Sequence, residues 1–204
     1  MNERSEAPKE IKTGAENLGQ CNAKKEVRYL GDRAMETTGI EKSEPEIAID
    51  PMVKVGHVHL NVVDLERSVA FYRDVLGFRV ILRLPKLAFL SAGDYQHHLA
   101  LDTRATQGGD RLTHRVTGLH HYAILHPTRQ ALASTVKRAV EAGVTVARTA
   151  DFTVSLAVFI QDPDGNGVEL CWDRPRNEWP DNWASANVMG SPTPFDVAKL
   201  QAEA

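Results

Sequence analysis

The chain has 204 residues, 42% of them apolar, enough for one ordinary domain with a real core. Its formal net charge is -3 and no stripe of Lys and Arg interleaves with aromatics, so the composition points away from nucleic acid as a partner. No apolar run reaches the roughly 20 residues that cross a bilayer, and the N-terminus lacks the apolar core of a signal peptide, so the sequence reads as cytoplasmic with no membrane partner.

From Met1 to Pro51 the residues are rich in Glu, Lys, Ser, Asn and Gly, and their scattered apolar positions fit neither a helical nor a strand period. Residues 1–51 therefore read as a disordered polar tail, in which Val27 to Met35 alone is weakly amphipathic. Cys21 lies in this tail and Cys171 in an expected strand, an arrangement that makes no disulfide framework and suits a reducing compartment.

After Pro51 the pattern becomes regular, and residues 52–180 read as one domain with a C-terminal extension over 181–204. The first unit, residues 53–104, opens with VKVGHVHLNVV, where Val58, Leu60 and Val62 alternate with His57, His59 and Asn61 as a strand with one core face requires. Asp64 is placed to cap a helix running through Leu76, with Leu65, Val69, Tyr72 and Leu76 on one side and Gly77 as the left-handed stop. Three strands are expected next, at Phe78 to Arg83, Leu87 to Ser91 and His97 to Asp102, with a turn at Gly93 and Asp94.

The polar stretch ATQGGDRLTHRVT links this unit to a second, residues 117–173, which repeats the same order. It opens with GLHHYAILHP, Thr128 caps a helix whose Leu132, Val136 and Val140 share a face, and Gly143 closes it. The interval from His57 to His121 nearly equals that from Gly77 to Gly143, which argues for duplication. Strands are expected at Thr145 to Arg148, Val154 to Gln161 and Gly167 to Trp172. DPDGNG between the last two reads as a hairpin turn, because the strand VELCW follows it and not a helix that could cradle phosphate. Helices alternating with antiparallel runs give the class α+β.

Three side chains stand where a strand would otherwise carry aliphatic residues: His57, His121 and Glu169. Glu169 sits between Val168 and Leu170, and an ionised carboxylate beside a core is costly unless paired or bound to metal. Singly, each has a structural reading, a hydrogen-bonded His or a Glu facing water. Two strand openings that both present His, with a Glu near the end of the second unit, point together to a metal site. Two imidazoles and a carboxylate leave open positions on a divalent ion and suit Fe(II), with Mn(II) or Zn(II) as further possibilities. His97, His114, His120 and His126 read as bystanders on loops or outward faces.

The stretches GHVHLNVVDLERSVAFYRDVLGF, GLHHYAIL and DPDGNGVEL resemble the vicinal oxygen chelate superfamily of glyoxalases, bleomycin resistance proteins and extradiol dioxygenases, over residues 53 to 180. The resemblance implies two βαβββ modules forming a curved mixed sheet around a metal pocket, with helices on the outside and His57, His121 and Glu169 as ligands. QHHLALDT, GLHHYAIL and WDRPRNEWP look most like the catechol 2,3-dioxygenase branch. That likeness implies an Fe(II)-dependent ring-cleaving enzyme acting on a small catechol-like aromatic and O2, with His98 as the proton-moving residue. Where glyoxalases often place a fourth ligand, this chain has Ala100. His59 is expected to line the pocket or contact a substrate oxygen.

Two positions depart from the ring-cleaving pattern. Phe152 stands three residues before Ser155 where that branch commonly has His, and Phe159 stands four residues before Pro163 where it has Tyr. Phe152, Ser155 and Phe159 are thus expected to contact substrate, with apolar groups replacing polar ones that orient ligands. The rival readings are a glyoxalase-like lyase or isomerase, in which oxygen plays no part, and a non-catalytic binder of small molecules. The resemblance also implies a homodimer.

Overall fold

A computed structural model describes residues 48–110, 117–185 and 189–204. The expected tail, up to residue 47, lies outside the described residues, as do Cys21 and His114.

The first module begins with β1 (Val58–Asn61) and continues through α1 (Leu65–Ala70), β2 (Arg79–Leu84), β3 (Leu87–Ser91) and β4 (Leu99–Asp102). Its four strands lie in the order β1-β4-β3-β2, with β1 and β4 parallel and the other pairs antiparallel. The carboxylate of Asp64 caps α1 by accepting from the amide of Arg67 at 3.1 Å, and Gly77 ends the segment at φ 90°. The expected single helix is divided: after Ala70 the chain widens into one π-helical turn, Phe71–Val75, and the adjacent Phe71 and Tyr72 are both buried, meeting edge to face at 5.1 Å.

The second module repeats the order with β5 (Tyr122–Leu125), α2 (Arg129–Glu141), β6 (Arg148–Asp151), β7 (Ser155–Gln161) and β8 (Gly167–Asp173), arranged β5-β8-β7-β6. Thr128 caps α2 by accepting from the amide of Ala131 at 3.1 Å. Strand β6 lies later in the chain than expected because its outer edge is engaged by the C-terminal segment. Thr193 bridges to Asp151, and the Thr149 hydroxyl bonds the backbone of Phe195. A last helix, α3 (Val197–Gln201), buries Leu200 in the core. From Thr193 onward the extension is therefore packed against the domain. Among the described residues no helix is long and apolar enough to cross a membrane.

One continuous core holds Leu60, Leu90, Leu99 and Leu101 from the first sheet, Leu156, Val158, Val168 and Leu170 from the second, and Val69, Tyr72, Leu132 and Val136 from the helical segments. The helices meet across the module junction, where the guanidinium of Arg138 donates to the carbonyls of Val75 and Leu76. The turn Asp162–Gly165 adds a polar clasp. The Tyr72 hydroxyl donates to Asp162 at 2.8 Å, Tyr122 donates to Tyr72 at 2.7 Å, and Arg67 and Ser68 both donate to Asp164. Burial holds both phenols well above their ordinary pKa, so they remain donors.

This arrangement has the two βαβββ modules, mixed sheets and α+β class expected. Among the described residues the strands form two four-stranded sheets, one per module, and the helical segments meet at the shared core. Side chains alternate along a strand, so the sheet faces that carry His59 and Glu169 are the ones turned away from that core.

Candidate metal and substrate site

Glu169 on β8 is flanked by Val168 and Leu170, both fully buried on the core side, so its carboxylate projects from the opposite face. Across that face the register aligns Arg148 with Phe159, Phe159 with Glu169, and Glu169 with Ala123. His121 precedes β5, and its Nε2 lies 2.9 Å from Glu169 Oε2, with the two side chains 32% and 15% exposed. Gly167 makes this approach possible. A Cβ there would lie 2.5 Å from the carbonyl oxygen of His120 and 3.0 Å from Cβ of His121, so any other residue would force the start of β5 away from β8.

Phe159 is the floor beside this pair. The His121 ring meets it edge-on at 5.4 Å and the Arg148 guanidinium lies 4.1 Å over it. Phe159 belongs to a small apolar cluster with Ala150, Ala157 and Cys171, against which Phe152 packs. Burial pushes the Cys171 thiol up to about 12, so it stays a neutral packing group. Ser155 opens β7, and its carbonyl accepts from the amide of Phe152, which ties the two expected substrate residues together.

The first sheet has its own polar cluster on the matching face. His57 is exposed just before β1, and its ring lies 4.4 Å from that of His97, which stacks on Phe89 at 4.6 Å. Phe89 aligns with Ala100, and Ala100 with His59. His59 Nε2 lies 3.2 Å from Asp102 Oδ2. Because an ionised carboxylate only accepts, Nε2 is the donor in this bond. Asp102 is buried and also receives the guanidinium and backbone amide of Arg104. Those bonds, led by the Arg104 side chain, hold its carboxyl well below the usual range.

His97, read from sequence as a bystander, is thus the imidazole beside His57, and burial lowers its pKa. His98 is directed elsewhere: its Nδ1 accepts from the amide of Ala92 at 3.2 Å and meets the Ser91 hydroxyl at 2.9 Å, with Tyr95 and Phe78 as ring neighbours. Strict alternation puts it on the Ala100 face, but regular β4 begins only at Leu99, and at the bend ahead of it the side chains no longer alternate although the His98 backbone still bonds Leu90 and Val58. Ala100 occupies in β4 the place Glu169 holds in β8, as the parallel pairings with His59 and Ala123 show.

The structure therefore brings His121 and Glu169 together and leaves His57 in a separate cluster. Among the described residues no three His, Cys, Asp or Glu side chains stand close enough to hold one ion within a single chain. The adjacent imidazole and carboxylate fit a divalent ion as two of its donors. Asp102, Arg104 and Arg148 escaped sequence reasoning because their place depends on strand register; the polar-face alternation of β1 and β4 was the only available hint.

The profile of the Glyoxalase/Bleomycin resistance protein/Dioxygenase superfamily matches residues 54–170. The chain is 36% identical over 151 residues to catechol-2,3-dioxygenase of Bacillus subtilis (strain 168), which covers 74% of this chain and 52% of that protein, so it spans about half of that relative's length. It is 30% identical over 127 residues to lactoylglutathione lyase of Haemophilus influenzae, covering 58% of this chain and 91% of the lyase. The crystal structure of a glyoxalase/dioxygenase from Nostoc punctiforme shares the fold with a TM-score of 0.52 at 22% identity, over 65% of this chain and 100% of that one. With the profile matching more than half of the chain, including both His-bearing strand openings and Glu169, this protein belongs to the glyoxalase, bleomycin resistance protein and dioxygenase superfamily.

Proposed function

We propose that this protein is a metal-dependent extradiol-type ring-cleaving dioxygenase for a small catechol-like aromatic, with O2 as co-substrate, Fe(II) as its metal, and Mn(II) or Zn(II) as other ions its donors accept. The observation that carries the reading is the His121–Glu169 pair at 2.9 Å beside the Phe159 floor. The likeness to the Bacillus catechol-2,3-dioxygenase supports the choice of reaction.

His57 is the third donor in this reading, supplied by a second copy of the chain. The two donor faces point away from the core and both expose apolar side chains: Leu82 (43%) and Leu84 (46%) on the first sheet, Leu125 (60%) on the second. A two-fold axis laying the first-sheet face of each copy on the second-sheet face of the other would cover these residues and complete two equivalent sites. We assign the protein to the reducing cytoplasm.

His121, Glu169 and His57 of the second copy would hold the ion, and Fe(II) there would supply Lewis acidity toward the diol oxygens and electrons for oxygen activation. Phe159 and Phe152 pack the substrate ring and exclude water. His59, oriented by Asp102, accepts a hydrogen bond from a substrate hydroxyl at Nδ1, and Ser155 lies at the edge of the same pocket. His98, held at the turn by Ala92 and Ser91, stands outside this group, so the proton-moving role expected of it is not part of the proposal.

A glyoxalase-like lyase or isomerase is the rival favoured by the Haemophilus relative, but Ala100 supplies no fourth ligand where Glu169 has its counterpart. A non-catalytic binder is favoured by Phe152 and Phe159. The test is oxygen uptake by protein loaded anaerobically with Fe(II) and offered a panel of catechols. Uptake matched by the yellow colour of a ring-opened product supports the dioxygenase; aromatic binding without uptake across the panel sinks it in favour of the binder.

A further inference from the structure

We propose that Arg148 is a specificity residue of this site, selecting substrates that carry a carboxylate on the ring. The inference rests on the proposed aromatic substrate at the His121–Glu169 pair and names a feature of that substrate. Arg148 shares a face and a row with Phe159 and Glu169, one and two strands away. Its guanidinium lies over the Phe159 ring, 4.1 Å from the centroid.

The charge of Arg148 is not spent on the protein. Arg104 and Arg174 are bound to Asp102 and Asp151, whereas Arg148 forms no ion pair among the described residues and is exposed at the rim of the apolar cluster. Neighbouring strands are about 4.8 Å apart, so the backbones carrying Glu169 and Arg148 are separated by about 10 Å across the sheet. The Arg148 side chain reaches back over Phe159, on the strand next to Glu169, so a carboxylate on a ring held by its diol at Glu169 and His121 would meet the guanidinium at the Phe159 edge of the pocket. A planar guanidinium there offers a two-pronged hydrogen bond to a carboxylate and nothing comparable to an ester.

The test compares equilibrium binding, by calorimetry, of 3,4-dihydroxybenzoate, its methyl ester and catechol to Zn(II)-loaded full-length protein, so that no turnover is needed. Wild type is expected to favour the acid over the ester by roughly 10- to 100-fold, the worth of a charge-assisted hydrogen bond. Arg148→Met should bring that ratio close to one. Arg148→Lys, which keeps the charge without the fork, should retain part of the preference and controls for a Met variant that fails to fold. Equal binding of acid and ester by wild type, or an undiminished ratio in a folded Met variant, overturns the role of Arg148 while leaving the proposed function standing. Failure of wild type to bind any of the three overturns both.

Discussion

Replacing Tyr72 by Phe probes the clasp that joins the modules. The change removes one buried oxygen that serves twice, donating to Asp162 at 2.8 Å and accepting from Tyr122 at 2.7 Å. Asp162 keeps the Asn166 side chain and two backbone amides, so it loses one bond, whereas Tyr122 loses its acceptor in a buried place. A hydrogen bond to a charged group is worth about 1.5–3 kcal/mol and an unsatisfied buried donor costs about 1–3 kcal/mol, so the expected loss is about 3–5 kcal/mol. Tyr122→Phe alone leaves the bond to Asp162 intact and should cost only about 1 kcal/mol. The double variant removes the orphaned hydroxyl and should be less destabilised than the sum of the singles by about 1–2 kcal/mol. Urea melts of the four proteins measure this. Strict additivity, or a Tyr72→Phe cost below about 0.5 kcal/mol, would show that the clasp does not hold the modules as described.

Gly167→Ala places a methyl against His120 and His121 and should weaken metal binding by roughly tenfold or more, read by competition with a chromophoric chelator, while the circular dichroism spectrum is kept. Unchanged affinity would mean that the spacing of β5 and β8 does not set the pair. Asp102 has a folded pKa held below its unfolded value, so its stabilising contribution is present above about pH 4 and is lost as pH falls through the folded value. Wild type should therefore lose stability toward acid more steeply than Asp102→Asn when urea midpoints are compared over that acid range. Parallel curves would refute the Arg104–Asp102 pairing as its cause.

Much of the fold was legible because it rests on local physics. Asp64 and Thr128 cap helices as short polar side chains before apolar periods do, and Gly77 and Gly143 end their segments at positive φ. The placement of Glu169 followed from its apolar neighbours. What sequence hid is non-local. The clasp depends on carboxylates in the DPDGNG turn meeting hydroxyls nearly a hundred residues away. His97 and His98 exchanged places because alternation applies only within a strand, and β4 starts after both. The row from Arg148 to Glu169 needs the register of three strands. The separation of His57 from His121 and Glu169 reflects which sheet faces turn toward the helices, a property of packing that periodicity within one strand does not encode.

In the proposed dimer His57 of one copy completes the site whose other donors are His121 and Glu169 of its mate. Metal content after co-refolding His57→Ala with Glu169→Ala chains tests it directly. Each variant alone should bind no stoichiometric Zn(II), whereas a random mixture forms heterodimers with one intact site, restoring about a quarter of the wild-type content. A mixture as empty as its parents, or full metal content in either variant alone, would rule out a site shared between copies.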